Sequence, residues 1–123
     1  MITGIGVDAV TISRLEKWAA SEPILERFFH PREIENIREK GRGMAASLAA
    51  RFAAKEAFCK ALGTGFAGIA LRDIMVLNGN GGKPELFAEG SALEAMRAAG
   101  AGRVHLSLTH EGNIAIAQVV LEA

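Results

Sequence analysis

The sequence predicts an α+β fold, in which a small, mainly antiparallel sheet packs on a long central helix and several short helices. The central helix is predicted over Leu48–Leu62, because this stretch is rich in alanine, contains no proline or glycine, and is followed by Gly63. Its length would be about 22 Å. Two pairs of short apolar segments, each pair joined by a glycine-containing turn, indicate two β-hairpins.

The first strand is predicted over Ile2–Val10, because apolar residues alternate along this stretch. Its two faces would carry Ile5, Val7 and Ala9 on one side and Gly4, Gly6 and Asp8 on the other. The two glycines would leave the face of the carboxylate bare, as a site of close approach requires. A purely structural role for Asp8, capping the turn after the strand, is the alternative.

Three short helices are predicted between the first strand and the central helix. The first begins at the capping box Ser13-Arg-Leu-Glu16 and ends near Ala20. The second is capped by Ser21-Glu-Pro23 and ends at Phe28, and the third covers Arg32–Lys40. These elements would cover one side of the central helix.

The remaining part of the chain is predicted to form the two hairpins, with one helix between them. The predicted strands are Asp73–Asn78, Glu85–Ala88, Val104–His110 and Ile114–Glu122. The loop Gly79–Gly82 is more simply a turn than a phosphate-binding loop, because it joins two strands. A second capping box, Ser91-Ala-Leu-Glu94, would begin a helix that ends at Gly100.

Composition bounds the class of protein. Residues 1–123 are expected to form one domain. Hydrophobic residues make up 50% of the chain and the mean hydropathy is +0.20, although a chain of this size buries only about two-thirds of its unfolded surface. This surplus predicts an oligomer or a large apolar patch. The formal net charge of zero argues against nucleic-acid binding.

The protein is predicted to be soluble and cytoplasmic. No apolar run approaches the roughly 18 residues of a membrane span, and Met1-Ile-Thr-Gly4 lacks the basic start of a signal peptide. The single cysteine excludes an internal disulfide and fits a reducing compartment.

Three charged residues interrupt the apolar central helix, namely Lys55, Glu56 and Lys60. Charged side chains are seldom buried unless they are paired or functional. Glu56 and Lys60 lie four residues apart and could simply form an ion pair worth about 0.2–0.5 kcal/mol. However, Ala49 and Ala53 leave room beside Glu56, and Asp8 offers a second carboxylate.

Two carboxylates and a lysine suit phosphate chemistry that depends on a metal. Mg²⁺ commonly binds one or two carboxylates together with substrate phosphates, so Asp8 and Glu56 are candidate ligands. Lys60 could neutralise phosphate charge, or take a proton if burial lowered its pKa. Zinc is not predicted, because Cys59 is alone and the histidines lack ligand spacing. The sequence contains no recognisable arrangement for covalent catalysis.

The segment Phe52-Ala-Ala-Lys-Glu-Ala-Phe-Cys-Lys60, followed by Gly63-Thr-Gly65, resembles the signature helix of the 4′-phosphopantetheinyl transferases. Gly4-Ile-Gly-Val-Asp8 resembles the N-terminal motif of the short members of that family. The resemblance spans residues 2–122 and implies the fold of the family. It implies that a serine of an acyl carrier protein attacks the β-phosphorus of coenzyme A. The 4′-phosphopantetheine arm is then transferred, and adenosine 3′,5′-bisphosphate leaves.

The same resemblance implies roles for individual residues. Asp8 and Glu56 match the magnesium ligands and Lys60 the lysine beside the pyrophosphate, so these three are the predicted catalytic residues. The positions that would contact coenzyme A are Arg51, Lys60, Lys83, Pro84 and His110. Thr11 stands where many relatives carry an acidic residue, so no third carboxylate is expected near the metal.

The resemblance also implies partners. Arg14 matches the arginine that docks the acyl carrier protein, and local patterning adds Lys17, Trp18 and Arg27 to the docking surface. Single-domain members form trimers with sites between protomers, so a homotrimer that serves fatty acid biosynthesis is expected. Two other functions remain open: a non-catalytic coenzyme A or nucleotide-binding module with the same fold, and a structural oligomer whose polar residues merely pair.

Overall fold

A computed structural model describes the backbone of residues 1–123 and the side chains of residues 1–79 and 81–123. The strands are β1 (Ile2–Thr11), β2 (Ile74–Asn78), β3 (Pro84–Ala88), β4 (Arg103–Glu111) and β5 (Ile114–Glu122). The α-helices are α1 (Glu16–Ala19), α2 (Glu22–Phe28), α3 (Pro31–Arg38), α4 (Met44–Leu62) and α5 (Gly90–Ala98). The predicted α+β class and both hairpins are confirmed.

The strands form two antiparallel sheets. One sheet has the order β1-β5-β4, and the other is the hairpin of β2 and β3. In the first sheet Asp8 pairs with Ala117, which in turn pairs with Leu108 of β4. Asp8 therefore lies on an edge strand, about 10 Å from β4 at strand spacings of roughly 4.8 Å.

Helix α4 covers one face of the three-stranded sheet and is the centre of the core. It begins at Met44, four residues before the predicted start, and ends at Leu62, where it is followed by Gly63 with a φ of 80°. The prediction that this helix is buried on most sides is confirmed, because alanines and aromatic residues on several sides of it are inaccessible. Its fully buried residues include Leu48, Ala49, Ala53, Ala54, Ala57 and Phe58.

The glycines of β1 allow the backbone of α4 to pack closely against this strand. A Cβ atom on Gly4 would lie 2.0 Å from the carbonyl oxygen of Ala61, and one on Gly6 would lie 2.0 Å from that of Ala57. The prediction that these glycines leave the face of Asp8 bare is therefore wrong, because the backbone of α4 occupies this face. The glycines determine how closely α4 approaches β1.

Both predicted serine capping boxes are wrong. The turn after β1 is a 3₁₀ helix, Ile12–Leu15, followed by the single α-helical turn of α1. Ser13 bonds Asn113 rather than the helix, and Ser91 donates its hydroxyl to Asp73. In each case a side chain distant in sequence competes with the local helix for the serine.

Helix α3 carries the capping box that the structure does contain. His30 Nδ1 accepts a hydrogen bond from the Arg32 backbone N–H at 3.1 Å. Glu33 accepts one from the His30 backbone N–H at 3.0 Å. The helix starts at Pro31 and ends at Arg38, which places Glu33 inside the core.

No helix in the described part of the chain combines the length and apolar character needed to cross a bilayer.

Candidate active site

Asp8 and Glu56 meet where β1 packs on α4. Asp8 is only 11% exposed, and Glu56 is half-buried. Burial is the largest cause of a raised pKa at Glu56, and the charge of Asp8 and a hydrogen bond to it raise this pKa further. The close packing at Gly6 thus holds two carboxyl groups together at the price of mutual repulsion.

Lys60 neutralises part of this negative charge. Its Nζ donates to Asp8 Oδ1 at 2.8 Å and to the carbonyl oxygen of Val7 at 3.2 Å. The hydrogen bond to Asp8 and its charge raise the pKa of Lys60, so the amine is a cation at neutral pH. The pairing of Lys60 with Asp8 replaces the simple Glu56–Lys60 ion pair that the sequence left open.

The donor set fits a hard divalent cation. It consists of two carboxylates that repel each other, and a divalent cation bound between them would relieve the repulsion that raises the pKa of Glu56. No group of three or more His, Cys, Asp or Glu side chains that could hold a metal occurs among the described residues.

Arg51 and His110 line one cavity of about 410 Å³ between the start of α4 and the end of β4. Arg51 is 4% exposed; its Nε donates to the carbonyl oxygen of Val76 at 3.1 Å, and its Nη1 donates to Ser47. Its Nη2 has no hydrogen-bond partner among the described residues. Burial lowers the pKa of Arg51, and the negative charge of Glu33 only partly offsets this effect. An anion beside Nη2 would satisfy the donor and stabilise the charge.

Lys83 and Pro84 lie elsewhere. They line a different cavity of about 340 Å³, together with His105 and part of β4. Apart from Lys60, the residues predicted to contact coenzyme A therefore fall into two separate pairs within one chain. Arg51 and His110 line one cavity, and Lys83 and Pro84 line the other.

The predicted docking residues lie on neighbouring short elements. Trp18 stacks on Phe28 with ring centroids 5.2 Å apart and packs edge-on against Phe52 at 5.0 Å. The Arg27 guanidinium lies 5.2 Å from the centroid of Phe28. Arg14 and Lys17 are exposed, and the positive charge of Arg14 partly opposes the rise in the pKa of Glu56 that burial and Asp8 cause. The structure thus joins Trp18 and Arg27 through Phe28 and places Arg14 within electrostatic range of the carboxylates.

A buried ion pair beside the site was missed. Lys55, with no exposed side-chain surface, donates to Glu33 Oε1 at 2.6 Å and to the carbonyl oxygens of Leu71 and Ile74. Glu33 Oε2 accepts from the Val76 backbone N–H at 3.1 Å. The sequence signalled that Lys55 needs a buried acid, because a charge on an apolar helix must be paired, but it did not indicate which acid. Polar residues lining the Arg51 cavity were missed as well, namely Lys40, Ser47, Asn78 and Thr109.

Comparison with known proteins shows the family to which the chain belongs. The family described as the 4′-phosphopantetheinyl transferase superfamily matches residues 4–118. A holo-[acyl-carrier-protein] synthase from Treponema denticola is 54% identical, over 99% of this chain and 99% of that protein.

Solved structures of similar proteins have the same fold. The holo-[acyl-carrier-protein] synthase of Neisseria meningitidis superposes with a TM-score of 0.89 at 35% identity and covers 100% of both chains. The Bacillus anthracis protein, solved in complex with CoA (3′,5′-ADP), gives a TM-score of 0.83 at 38% identity and covers 100% of this chain and 98% of that one. The chain therefore belongs to the 4′-phosphopantetheinyl transferase superfamily, within the holo-[acyl-carrier-protein] synthase family.

Proposed function

We propose that this protein transfers the 4′-phosphopantetheine group of coenzyme A to a serine of an apo-acyl carrier protein. The products are the holo-carrier and adenosine 3′,5′-bisphosphate. The observation that carries this proposal is the meeting of Asp8, Glu56 and Lys60 between β1 and α4. Two carboxylates with one exposed lysine match the requirements of a pyrophosphate that must be bound and then cleaved.

Asp8 and Glu56 would hold Mg²⁺. When bound, the ion would neutralise the pyrophosphate and make its β-phosphorus easier to attack. Asp8 and Glu56 bring hard oxygen donors from two rigid elements, so their separation depends on the contact between β1 and α4. Lys60 is 55% exposed, and it can leave Asp8 and turn its charge towards the departing bisphosphate.

Arg51 and His110 would hold a phosphate group of coenzyme A. The unpartnered Nη2 of Arg51 is a buried donor beside a cavity, and Lys40 and His110 line the same cavity. An unsatisfied buried donor costs about 1–3 kcal/mol, and an anionic acceptor would remove this cost.

The carrier protein would dock on the surface formed by Arg14, Lys17, Trp18 and Arg27. Carrier proteins of this kind are acidic, while the present chain has no net charge, so docking depends on a local basic surface. The exposed Arg14 and Lys17 lie beside the half-buried ring of Trp18, and Arg27 flanks Phe28. The charge of Arg14 acts on Glu56, so the serine of a docked carrier would arrive near the carboxylates.

We infer that three copies of the chain assemble. The face of the sheet opposite α4 exposes apolar residues of β1, with Ile5 65% and Val7 57% accessible. Lys83 and Pro84 line a cavity separate from that of Arg51 and His110, so a neighbouring copy could bring the two sets together. The family resemblance supplies the number three.

Three further points belong to the proposal. Residues 1–123 act as one domain, because α4 packs on both the sheet and the short helices in one continuous core. The single cysteine fits a cytoplasmic location. The formal net charge of zero argues against nucleic acid as a partner, and the proposal includes no membrane partner.

Mass analysis of a carrier protein tests the function. Apo-carrier incubated with the protein, coenzyme A and Mg²⁺ should gain one phosphopantetheinyl group per reactive serine. Glu56→Gln should yield no holo-carrier, whereas Glu94→Gln, a matched change on the exposed side of α5, should act like the wild type. A protein that binds coenzyme A but never modifies the carrier would instead be the non-catalytic module. A protein that binds neither coenzyme A nor metal would be the structural oligomer.

A further inference from the structure

We propose that Asn113 is a positioning residue that holds Arg14 for the carrier protein. The inference rests on the proposed function, because it concerns how the docking arginine is presented. Asn113 lies in the turn between β4 and β5, a hundred residues away from Ser13 in sequence, and no motif of the family resemblance includes it.

Asn113 forms hydrogen bonds with the turn after β1 through both its backbone and its side chain. Its carbonyl oxygen accepts a hydrogen bond from the Ile12 backbone N–H at 2.8 Å. Its Oδ1 accepts from the Ser13 backbone N–H at 3.0 Å, and its Nδ2 donates to Ser13 Oγ at 3.0 Å. The side chain therefore binds the donor and the acceptor of Ser13 together.

The bonds to Asn113 add to hydrophobic anchoring of this turn, in which Ile12 and Leu15 pack on the core. The turn is a 3₁₀ helix of four residues, Ile12–Leu15, and its N-cap residue Thr11 makes no side-chain capping bond. Short 3₁₀ segments have poorer hydrogen-bond geometry than α-helices. Leu15 is buried and anchors the end of the turn. Asn113 anchors its start, and Arg14 lies between these two anchors.

The position of Arg14 matters for the site as well as for docking. Burial and Asp8 raise the pKa of Glu56, and the positive charge of Arg14 partly opposes this rise, so the arginine lies within electrostatic range of Glu56. The hairpin that ends in Asn113 also carries His110, which lines the Arg51 cavity. Asn113 thus connects the β4–β5 hairpin to the surface proposed for the carrier.

Kinetics with Asn113→Ala test the proposal. Losing the side-chain clamp should raise the KM for the carrier about fivefold, the effect of roughly one hydrogen bond, while the KM for coenzyme A stays unchanged. Asn113→Asp should restore the wild-type KM, because one carboxylate oxygen accepts the Ser13 N–H and the other accepts the Ser13 hydroxyl. An equal loss in Asn113→Asp, or a rise in the KM for coenzyme A instead, would overturn the inference.

A double-mutant cycle separates positioning from general stability. If Asn113 acts through Arg14, Asn113→Ala should add nothing to the carrier KM once Arg14 is alanine. Additive effects of the two changes would show that Asn113 does not act through Arg14. Thermal melting of every variant checks folding, and Ser13→Ala, which removes only the Nδ2 partner, serves if Asn113→Ala is unstable.

The outcome also separates this inference from the proposed function. If Arg14→Ala leaves the carrier KM unchanged, both the docking role of Arg14 and the positioning role of Asn113 are wrong. Transfer of the phosphopantetheinyl group, detected by mass, would stand in that case. If no holo-carrier forms with the wild type, the proposed function itself fails.

Discussion

At the scale of single residues, the stability of the fold conflicts with the proposed role of Glu56 as a charged metal ligand. Burial and the neighbouring Asp8 raise its pKa, so the folded protein disfavours its ionised form. A carboxyl group with a raised pKa contributes stability below its unfolded pKa and loses it as the pH rises through the folded pKa. Ionisation of Glu56 therefore weakens the metal-free fold.

Glu56→Gln should abolish transfer and leave the metal-free fold at least as stable as the wild type. The amide keeps the shape of the side chain but carries no charge to repel Asp8 or to bind a cation. Thermal melting near pH 7.5 should show an equal or higher Tm for the variant. Addition of Mg²⁺ with coenzyme A should raise the Tm of the wild type but not that of Glu56→Gln. Near wild-type turnover in Glu56→Gln would remove this residue from the site.

Lys55→Ala should be among the most destabilising substitutions in the chain. It would leave the Glu33 carboxylate buried without its partner, at a cost of about 3–5 kcal/mol. Urea denaturation measures the free energy of unfolding. The double change Glu33→Leu with Lys55→Met should recover much of the loss, because it removes both buried charges together. If the free energy of unfolding of Lys55→Ala lay within about 1 kcal/mol of the wild-type value, water would have to reach the Glu33 carboxylate.

The residue scale also shows where sequence reasoning succeeds. Asp8, Glu56 and Lys60 were singled out from the sequence, and the structure brings them together, because charges on an apolar helix and a strand leave few alternatives. The partner of Lys55 could not be read in the same way. Glu33 lies twenty-two residues away and becomes buried only when α3 packs on α4.

At the scale of elements, the contact between β1 and α4 sets the geometry of the site. The long helix could be predicted because its alanine-rich character is a local property of the sequence. The sequence could not show that α4 packs on Gly4 and Gly6, since a strand face without side chains can accommodate either a helix or a ligand. The capping boxes at Ser13 and Ser91 failed for a related reason, because distant partners outcompeted local bonds.

Gly6→Ala should separate β1 from α4 and impair both folding and transfer. The added Cβ would lie 2.0 Å from the carbonyl oxygen of Ala57, and backbone on both sides leaves no easy relief. Gly102→Ala is the matched control, because its Cβ would lie 3.5 Å from the nearest atom. Thermal melting and turnover should fall for Gly6→Ala only. A Gly6→Ala variant with wild-type stability and activity would mean that the close contact is dispensable.

At the scale of the whole molecule, the face of the sheet opposite α4 leaves apolar residues of β1 exposed. The composition of the chain predicted such an exposed apolar surface, because the sequence contains more apolar residues than a small domain can bury. The location of the excess required the structure, which shows that α4 covers only one side of β1. The division of the predicted coenzyme A residues between two cavities could not be foreseen, because spacing along a chain does not reveal which cavity a side chain lines.

Val7→Glu should convert the proposed trimer into monomers. The change would bury a carboxylate in the apolar interface of each pair of copies, and burying an unpaired charge is strongly unfavourable. Light scattering should give about three times 13.0 kDa for the wild type and about 13.0 kDa for the variant. Ala98→Glu, which adds the same charge on the exposed end of α5, should remain a trimer. A wild-type monomer with full turnover would rule out a shared site.

Mixing two inactive chains tests whether neighbours share the site. Glu56→Ala and Lys83→Ala damage different proposed walls of the coenzyme A pocket. If each pocket draws Glu56 from one copy and Lys83 from the next, exchange of subunits should restore some activity. No recovery, despite demonstrated exchange, would place both walls in the same copy.

The buried cysteine of α4 has a practical consequence for such measurements. Cys59 is 1% exposed, and burial, with the nearby charge of Glu56, raises the pKa of its thiol to about 11. At pH 8 only about one thiol in a thousand would be ionised, and the helix shields it from reagents. A cysteine introduced on the surface should therefore accept a fluorophore without removal of the native one. Ala98→Cys on α5 offers such an attachment point for following subunit exchange by energy transfer.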